Sequence, residues 1–269
     1  MSGLAGRVAV VTGGSRGMGR EIALALARAG ADCVVTYRAN AAAAHDTVDE
    51  IKRLGRGALA VPLDLRDPEA VPPAIERAGA VFGRLDILVA NAAATAFRPM
   101  LEQKPHNVDQ TLAITVRSFV AAVQAAVPLM GGRAGRIIAM SGIDSHQAMT
   151  GHGILGAAKA AMESLVRALA LELGPQTITV NGVSPGVVDT DSSRLYVERG
   201  LGVRYEDAVA RLVTATPVRR LGTVEDVASL VVFLASDAAG FITGQTIVID
   251  GGLSIVSPME RLAEPSRPG

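Results

Sequence analysis

Apolar and polar positions alternate along this chain in two distinct periods. Short, nearly continuous β-branched runs recur at 7–12, 32–37, 58–63, 85–90, 136–140, 178–183 and 245–250. Between them lie longer stretches with apolar residues three and four apart, at 17–29, 41–54, 68–82, 108–130, 153–173 and 224–235. The first pattern predicts strands buried on both faces, and the second predicts helices that cover them. Gly30, Gly55 and the Gly131-Gly132 pair punctuate the helix ends. Strand and helix alternate throughout, which predicts an α/β protein: a single-domain Rossmann-type, doubly wound parallel sheet of about seven strands with helices on both faces. One domain is expected over 1–257, with a polar, irregular stretch with short helical pieces at 189–216 placed as a substrate lid. A loose tail rich in proline and charge is expected at 258–269.

Composition fits this picture. Of 269 residues, 49% are hydrophobic but only 3% aromatic, and Trp is absent, so Ala, Val, Leu and Ile must build the core. The 26 basic side chains balance 26 acidic ones, which gives no reason to expect a nucleic acid or an anionic membrane as partner. Cys33 is the single cysteine, consistent with a reducing, cytoplasmic setting. No secretory signal is expected at the N-terminus, and no charge-free apolar run is long enough to span a bilayer.

The chemistry begins at Thr12-Gly13-Gly14-Ser15-Arg16-Gly17-Met18-Gly19, between the first strand and the first helix. Glycines allow a tight turn and a close approach of backbone to a pyrophosphate, and the helix start offers free N–H groups to it. An acid near the end of the second strand would favour NAD, but that position reads Thr36-Tyr37-Arg38, with Asp32 at the wrong end. Arg38 and Arg16 instead suit a 2′-phosphate, so NADP(H) is the expected cofactor.

The Thr-Gly-x-x-x-Gly-x-Gly spacing resembles the short-chain dehydrogenase/reductase family, and the resemblance runs through nearly the whole chain. Asp86 to Ala93 looks like the family's Asn-Asn-Ala-Gly segment, and 184–190 looks like its Pro-Gly-x-x-x-Thr segment. This resemblance implies cofactor contacts from Gly13, Ser15, Arg16, Gly17, Met18, Gly19, Arg38, Asp64, Leu65, Asn91, Ala92, Lys159, Pro185, Gly186, Val188 and Thr190. It implies no metal. It also implies a homo-oligomer, tetramer or dimer, through the two long helices.

The family's Ser, Tyr and Lys, usually with an Asn, are only partly present. Aligned on Lys159, the Tyr position holds Leu155, the Ser position Gly142 with Ser141 adjacent, and the Asn position Thr115. The enoyl-acyl-carrier-protein reductase III branch places its tyrosine seven residues before the lysine, and here that residue is His152. The Asn-Ala-Ala start at 91–93 and the Arg98-Pro99 pair resemble the same branch. Lys159, His152 and Ser141 are therefore the catalytic candidates. Histidine can donate a proton where tyrosine otherwise would. The competing reading of His152 is a neutral loop residue left after catalysis was lost. Asp144 and His146 either assist or are solvated loop residues. Tyr196 or Tyr205 could supply a proton from the lid, and Phe97, Met149, Leu195 and Val203 could make the pocket apolar.

The expected activity is NADPH-dependent reduction of an activated C=C or C=O bond in a small-molecule or carrier-linked acyl thioester or polyketide-like substrate. The alternatives are a non-redox dehydratase or cyclase, and a catalytically silent cofactor-binding partner subunit.

Overall fold

The computed structural model describes residues 3–94, 96–257 and 259. Its sheet is built from β1 (Val8–Val11), β2 (Asp32–Tyr37), β3 (Ala58–Pro62), β4 (Ile87–Ala90), β5 (Arg136–Met140), β6 (Thr179–Pro185) and β7 (Thr246–Ile249). The seven strands run in the order β3-β2-β1-β4-β5-β6-β7, with every pairing parallel. The order reverses direction between β1 and β4, so the loops leaving those two strands diverge and open a crevice at the carboxyl edge. The single-domain, seven-stranded expectation matches this architecture.

Alternation along the strands divides the core. Val8 and Val10 of β1 face a layer built with Ile75, Phe119, Ala126 and Val166. Ala9 and Val11 face the opposite layer, with Ile22, Leu26, Val231 and Leu234. The helices carrying the first layer are α3 (Val71–Phe82), α5 (Ser118–Met130) and α6 (Gly153–Leu173), with α4 (Pro105–Leu112) leading into α5; those of the second are α1 (Gly17–Arg28), α2 (Ala41–Arg53) and α9 (Val224–Ala235). Small Ala and Gly side chains on these helices let them sit close to the sheet.

Two local expectations are corrected. The single helix predicted at 108–130 begins earlier, at Pro105, and is broken into α4 and α5 by a π-helical turn, Ala113–Arg117. Such a turn inserts an extra residue into the helical ladder and is common beside functional sites. The helix predicted at 68–82 starts with a 3₁₀ turn, Pro68–Ala70, because proline tolerates a first turn but not an interior. The lid at 189–216 carries the short helical pieces expected of it. It holds α7 (Asp191–Leu195), a π-helical turn at Tyr196–Gly200, and α8 (Tyr205–Ala215), which close over a small apolar cluster of Tyr196, Val197 and Tyr205. The tail predicted at 258–269 lies outside the described residues, apart from Met259.

Pro105–Met130 is long and apolar enough by length and composition to cross a membrane, with half of its most apolar stretch buried in the fold. It carries Arg117 and packs against the sheet, as a core helix does.

Candidate active site

Two adjoining cavities open at the carboxyl edge. The smaller, about 360 Å³, is lined by Gly13, Ser15, Arg16, Arg38, Asp64, Leu65 and Ala92 among others. The larger, about 670 Å³, lies under the lid and includes Arg16, Met18, Ser141, His152, Pro185, Gly186, Val188 and Thr190. Arg16 borders both. The sequence therefore assembled most of its cofactor candidates into one continuous crevice.

The glycine loop is constrained from several sides. Gly13 and Gly17 have φ of 67° and 54°, left-handed conformations that favour glycine. A side chain at Gly19 would collide with the Gly13 carbonyl oxygen and with Asn91 Nδ2. Asn91 itself is spent on the loop: its Nδ2 donates to the carbonyls of Thr12 and Gly13, at 2.9 and 3.3 Å. Its role is thus to brace the loop, and neither Asn91, Gly17 nor Gly19 lines a cavity wall. The N-cap of α1, Arg16, makes no side-chain cap, so the helix start keeps free N–H groups, and a Cβ at Gly17 would meet only open space. This is the geometry a pyrophosphate needs. Neither Arg16 nor Arg38 forms a salt bridge within the described residues, whereas Asp64 is clamped by Arg66, whose Nε lies 2.9 and 3.0 Å from its two oxygens. That ion pair holds the carboxyl of Asp64 below its usual range. Sequence reasoning missed Arg66; its spacing two residues after Asp64 was the available signal. The residues present fit a dinucleotide with a 2′-phosphate.

Further along the crevice, Pro185 ends β6 and Gly186 passes so close to Asp250 that a Cβ would lie 2.6 Å from the aspartate's own Cβ. Val188 bridges Gly222, and Thr190 caps α7 through a reciprocal box with Ser193.

The catalytic end is arranged differently from what the family pattern implies. Lys159 is buried, and its Nζ donates to the carbonyl of Met140 rather than lining either cavity. Burial pulls its pKa down to about 8, against the opposing fields of Asp144 and Glu163. Ser141 lines the large cavity, but its hydroxyl donates to Glu163, which also accepts from Ser145 at 2.6 Å. Thr115, at the Asn position, sits inside the π-helical turn with its hydroxyl buried and unpartnered. Leu155, at the Tyr position, lines the cavity with an apolar surface.

His152 immediately precedes α6 and lines the same cavity. Its Nδ1 lies 2.9 Å from Oδ2 of Asp144, with both side chains largely buried. Its ring stacks on Phe97 at 5.0 Å between centroids and meets the edge of Tyr196 at 4.2 Å. Nε2 is buried and has no hydrogen-bond partner among the described residues. Asp144 is therefore no solvated loop residue, while His146 is exposed, with Nδ1 3.0 Å from the Ser145 hydroxyl. The lid tyrosines are also committed: Tyr196 donates to the Thr150 carbonyl at 2.9 Å and Tyr205 to Asp189 at 2.7 Å. Burial raises the pKa of both. Phe97, Met149, Leu195 and Val203 do line the cavity, joined by Leu201 and Leu212.

This geometry has known relatives. Residues 13–254 match the family model described as enoyl-(acyl carrier protein) reductase. The 1-cyclohexenylcarbonyl-CoA reductase of Streptomyces collinus is 41% identical over 268 residues, covering 97% of this chain and 94% of that protein. The versicolorin reductase stcU of Emericella nidulans is 38% identical over 93% of this chain and 96% of its own length. A short-chain dehydrogenase from Burkholderia cenocepacia, solved in complex with NADP, superposes with a TM-score of 0.86 at 37% identity, covering 93% of this chain and 99% of that one. The chain belongs to the short-chain dehydrogenase/reductase family and is an oxidoreductase of that type.

Proposed function

We propose that this protein reduces the activated C=C bond of an apolar α,β-unsaturated acyl thioester with NADPH. The observation that carries the reading is the buried, unpartnered Nε2 of His152 in an apolar cavity whose family tyrosine position holds Leu155. An unsatisfied buried ring nitrogen costs roughly 1–3 kcal/mol. Because His152 lines the cavity, a ligand atom or water that reached Nε2 would recover that cost.

NADPH, when bound, supplies a hydride. The chain's own residues do the rest. The free start of α1 with the glycine loop would hold the pyrophosphate, and Arg16 with Arg38 the 2′-phosphate. Leu195, Leu201 and Val203 exclude water and pack against the acyl group. His152 gives a proton to the enolate left after hydride reaches the β-carbon. Conjugation makes that enolate a weaker base than the alkoxide formed from a plain ketone, so a histidine suffices where the tyrosine is missing. The similarity to a relative named for reducing an unsaturated acyl-CoA supports the same substrate class.

The test is NADPH consumption against enoyl thioesters, enones and ketones, with wild type beside His152→Ala. Turnover on enoyl thioesters should fall by about 10²–10⁴-fold in the variant while NADPH affinity stays intact. Product formation without NADPH consumption would select a dehydratase or cyclase. Tight NADPH binding with no turnover on any compound would select a partner subunit.

A further inference from the structure

Resting on the reading of His152 above, we propose that Asp144 is the positioning residue of this site. It occupies the space of the missing family serine and fixes His152 as the tautomer whose free nitrogen is Nε2.

The first observation is volumetric. A Cβ added at Gly142 would lie 2.6 Å from Oδ1 of Asp144. Any side chain at Gly142 would therefore have to displace the carboxylate, so a serine there and Asp144 in its present place exclude each other. Gly156 completes the fit, because a Cβ on it would strike the Asp144 backbone carbonyl. Glycine at both positions lets the turn after β5 press down on the first turn of α6.

The second observation is directional. Oδ2 of Asp144 accepts from Nδ1 of His152 at 2.9 Å. A carboxylate only accepts hydrogen bonds, so the proton of the neutral ring must sit on Nδ1. Free imidazole side chains favour the opposite tautomer, with the proton on the outer nitrogen. Asp144 thus imposes the less common form and leaves Nε2 as the one ring position able to exchange a proton with a ligand.

The third observation removes competitors. Two other ionisable groups stand near the pair, Lys159 on α6 and Tyr196 from the lid. Lys159 donates to Met140 and Tyr196 to Thr150, so neither is directed at Nε2. The faces and edge of the imidazole are held by Phe97 and Tyr196, which leaves ring rotation blocked. Before substrate fills the cavity, Nε2 takes a proton from bulk solvent, where the buffer carries the balancing charge, and during reduction it passes that proton to the enolate. The ring is positively charged between those two events, and the adjacent carboxylate stabilises that charge.

Asp144→Asn separates orientation from charge, because the amide oxygen can still accept from Nδ1–H. In wild-type protein with labelled histidines, the ¹⁵N spectrum of the neutral His152 ring should show Nδ1 protonated and Nε2 bare. His152→Gln assigns the signal among the four histidines. Asp144→Asn should lower kcat on an enoyl thioester by about a hundredfold while KM for substrate and NADPH changes less than about threefold. Asp144→Ala should also return the ring to the common tautomer. An ordinary tautomer in wild type overturns the proposal, as does an unchanged kcat in Asp144→Asn when His152→Ala is inactive. Full turnover in His152→Ala would instead overturn the function proposed above. The spectrum decides on tautomer even for a variant that cannot be prepared folded, because it is read on wild type.

Discussion

The two ends of the crevice obey different rules. At the nucleotide end, the chain keeps its family's glycine-loop spacing, and backbone does most of the work: glycines, a helix start and an asparagine that braces the loop. At the catalytic end, the same scaffold holds the Asp144–His152 pair, with Gly142 and Leu155 at the positions that align with the family's serine and tyrosine. Backbone cradles leave little room for substitution, since a side chain at Gly19 has nowhere to go. A proton donor needs only the right atom in roughly the right place, so a side chain from a neighbouring turn can replace it. The positions that bind by backbone are fixed by sterics, and those that act by side chain are exchangeable.

The nucleotide end should therefore be the more brittle. Gly19→Ala forces its methyl into the Gly13 carbonyl, with Asn91 blocking the other exit. Overpacking against backbone costs about 3 kcal/mol. Denaturant unfolding should show that loss, and NADPH affinity should drop by about a hundredfold as the loop shifts. Normal affinity in Gly19→Ala would mean that the loop has slack and that the contrast between the two ends is overstated.

Much of this was legible beforehand, for physical reasons. Runs such as Val8–Val11 and Ile87–Ala90 are too short and too uniformly apolar to be anything but doubly covered strands, and the helices between them carry their apolar stripes plainly. The glycine loop was legible because only glycine fits it. The lid's short helical pieces were legible, but their length and packing were not, because Asp191, Glu198, Arg199 and Glu206 interrupt the apolar pattern, and its contacts with Phe97 and Met149 join segments far apart in the chain. The π-helical turn at Ala113–Arg117 was hidden too, since one extra residue leaves the apolar spacing almost unchanged. Asp144 is the instructive case. Taken alone, an acid in a loop is ordinarily solvated. Gly142, two residues earlier at the position that aligns with the family's serine, was the one trace of the space it fills.

At the catalytic end, Lys159 offers a measurement independent of turnover. Its ammonium titrates near 8 when folded, by burial, against an ordinary value of 10.5. Between those values the unfolded chain binds more protons than the native one, so native stability must rise with pH through that window. Below about pH 8 both states are protonated and the contribution is flat. Relative to Lys159→Met, wild-type apoprotein should gain about 2 kcal/mol between pH 8 and pH 10 in urea unfolding. Buried Cys33, pushed up to about 12, acts in the opposite direction but is common to both proteins and cancels. A pH-independent difference would show that the ammonium reaches solvent.

An effect of similar size is expected at the nucleotide end, at a contribution made by side chain instead of backbone. Arg38 borders the smaller cavity beside Tyr37 and Asn40 and forms no salt bridge among the described residues. A guanidinium left unpaired at a cavity wall is available to an anionic ligand group, and a charge-assisted contact is worth about 1.5–3 kcal/mol. Arg38→Ala should weaken NADPH binding by about 10- to 100-fold and leave NADH binding within about twofold, read by fluorescence titration of each cofactor. Because Arg16 borders the same cavity, the 2′-phosphate keeps one partner and residual preference for NADPH should survive. An equal loss for both cofactors would place Arg38 in the shape of the loop. That result would carry brittleness beyond the glycines and sharpen the division between the two ends. A selective loss would instead show that even here a function borne by a side chain can be removed while the backbone cradle still binds.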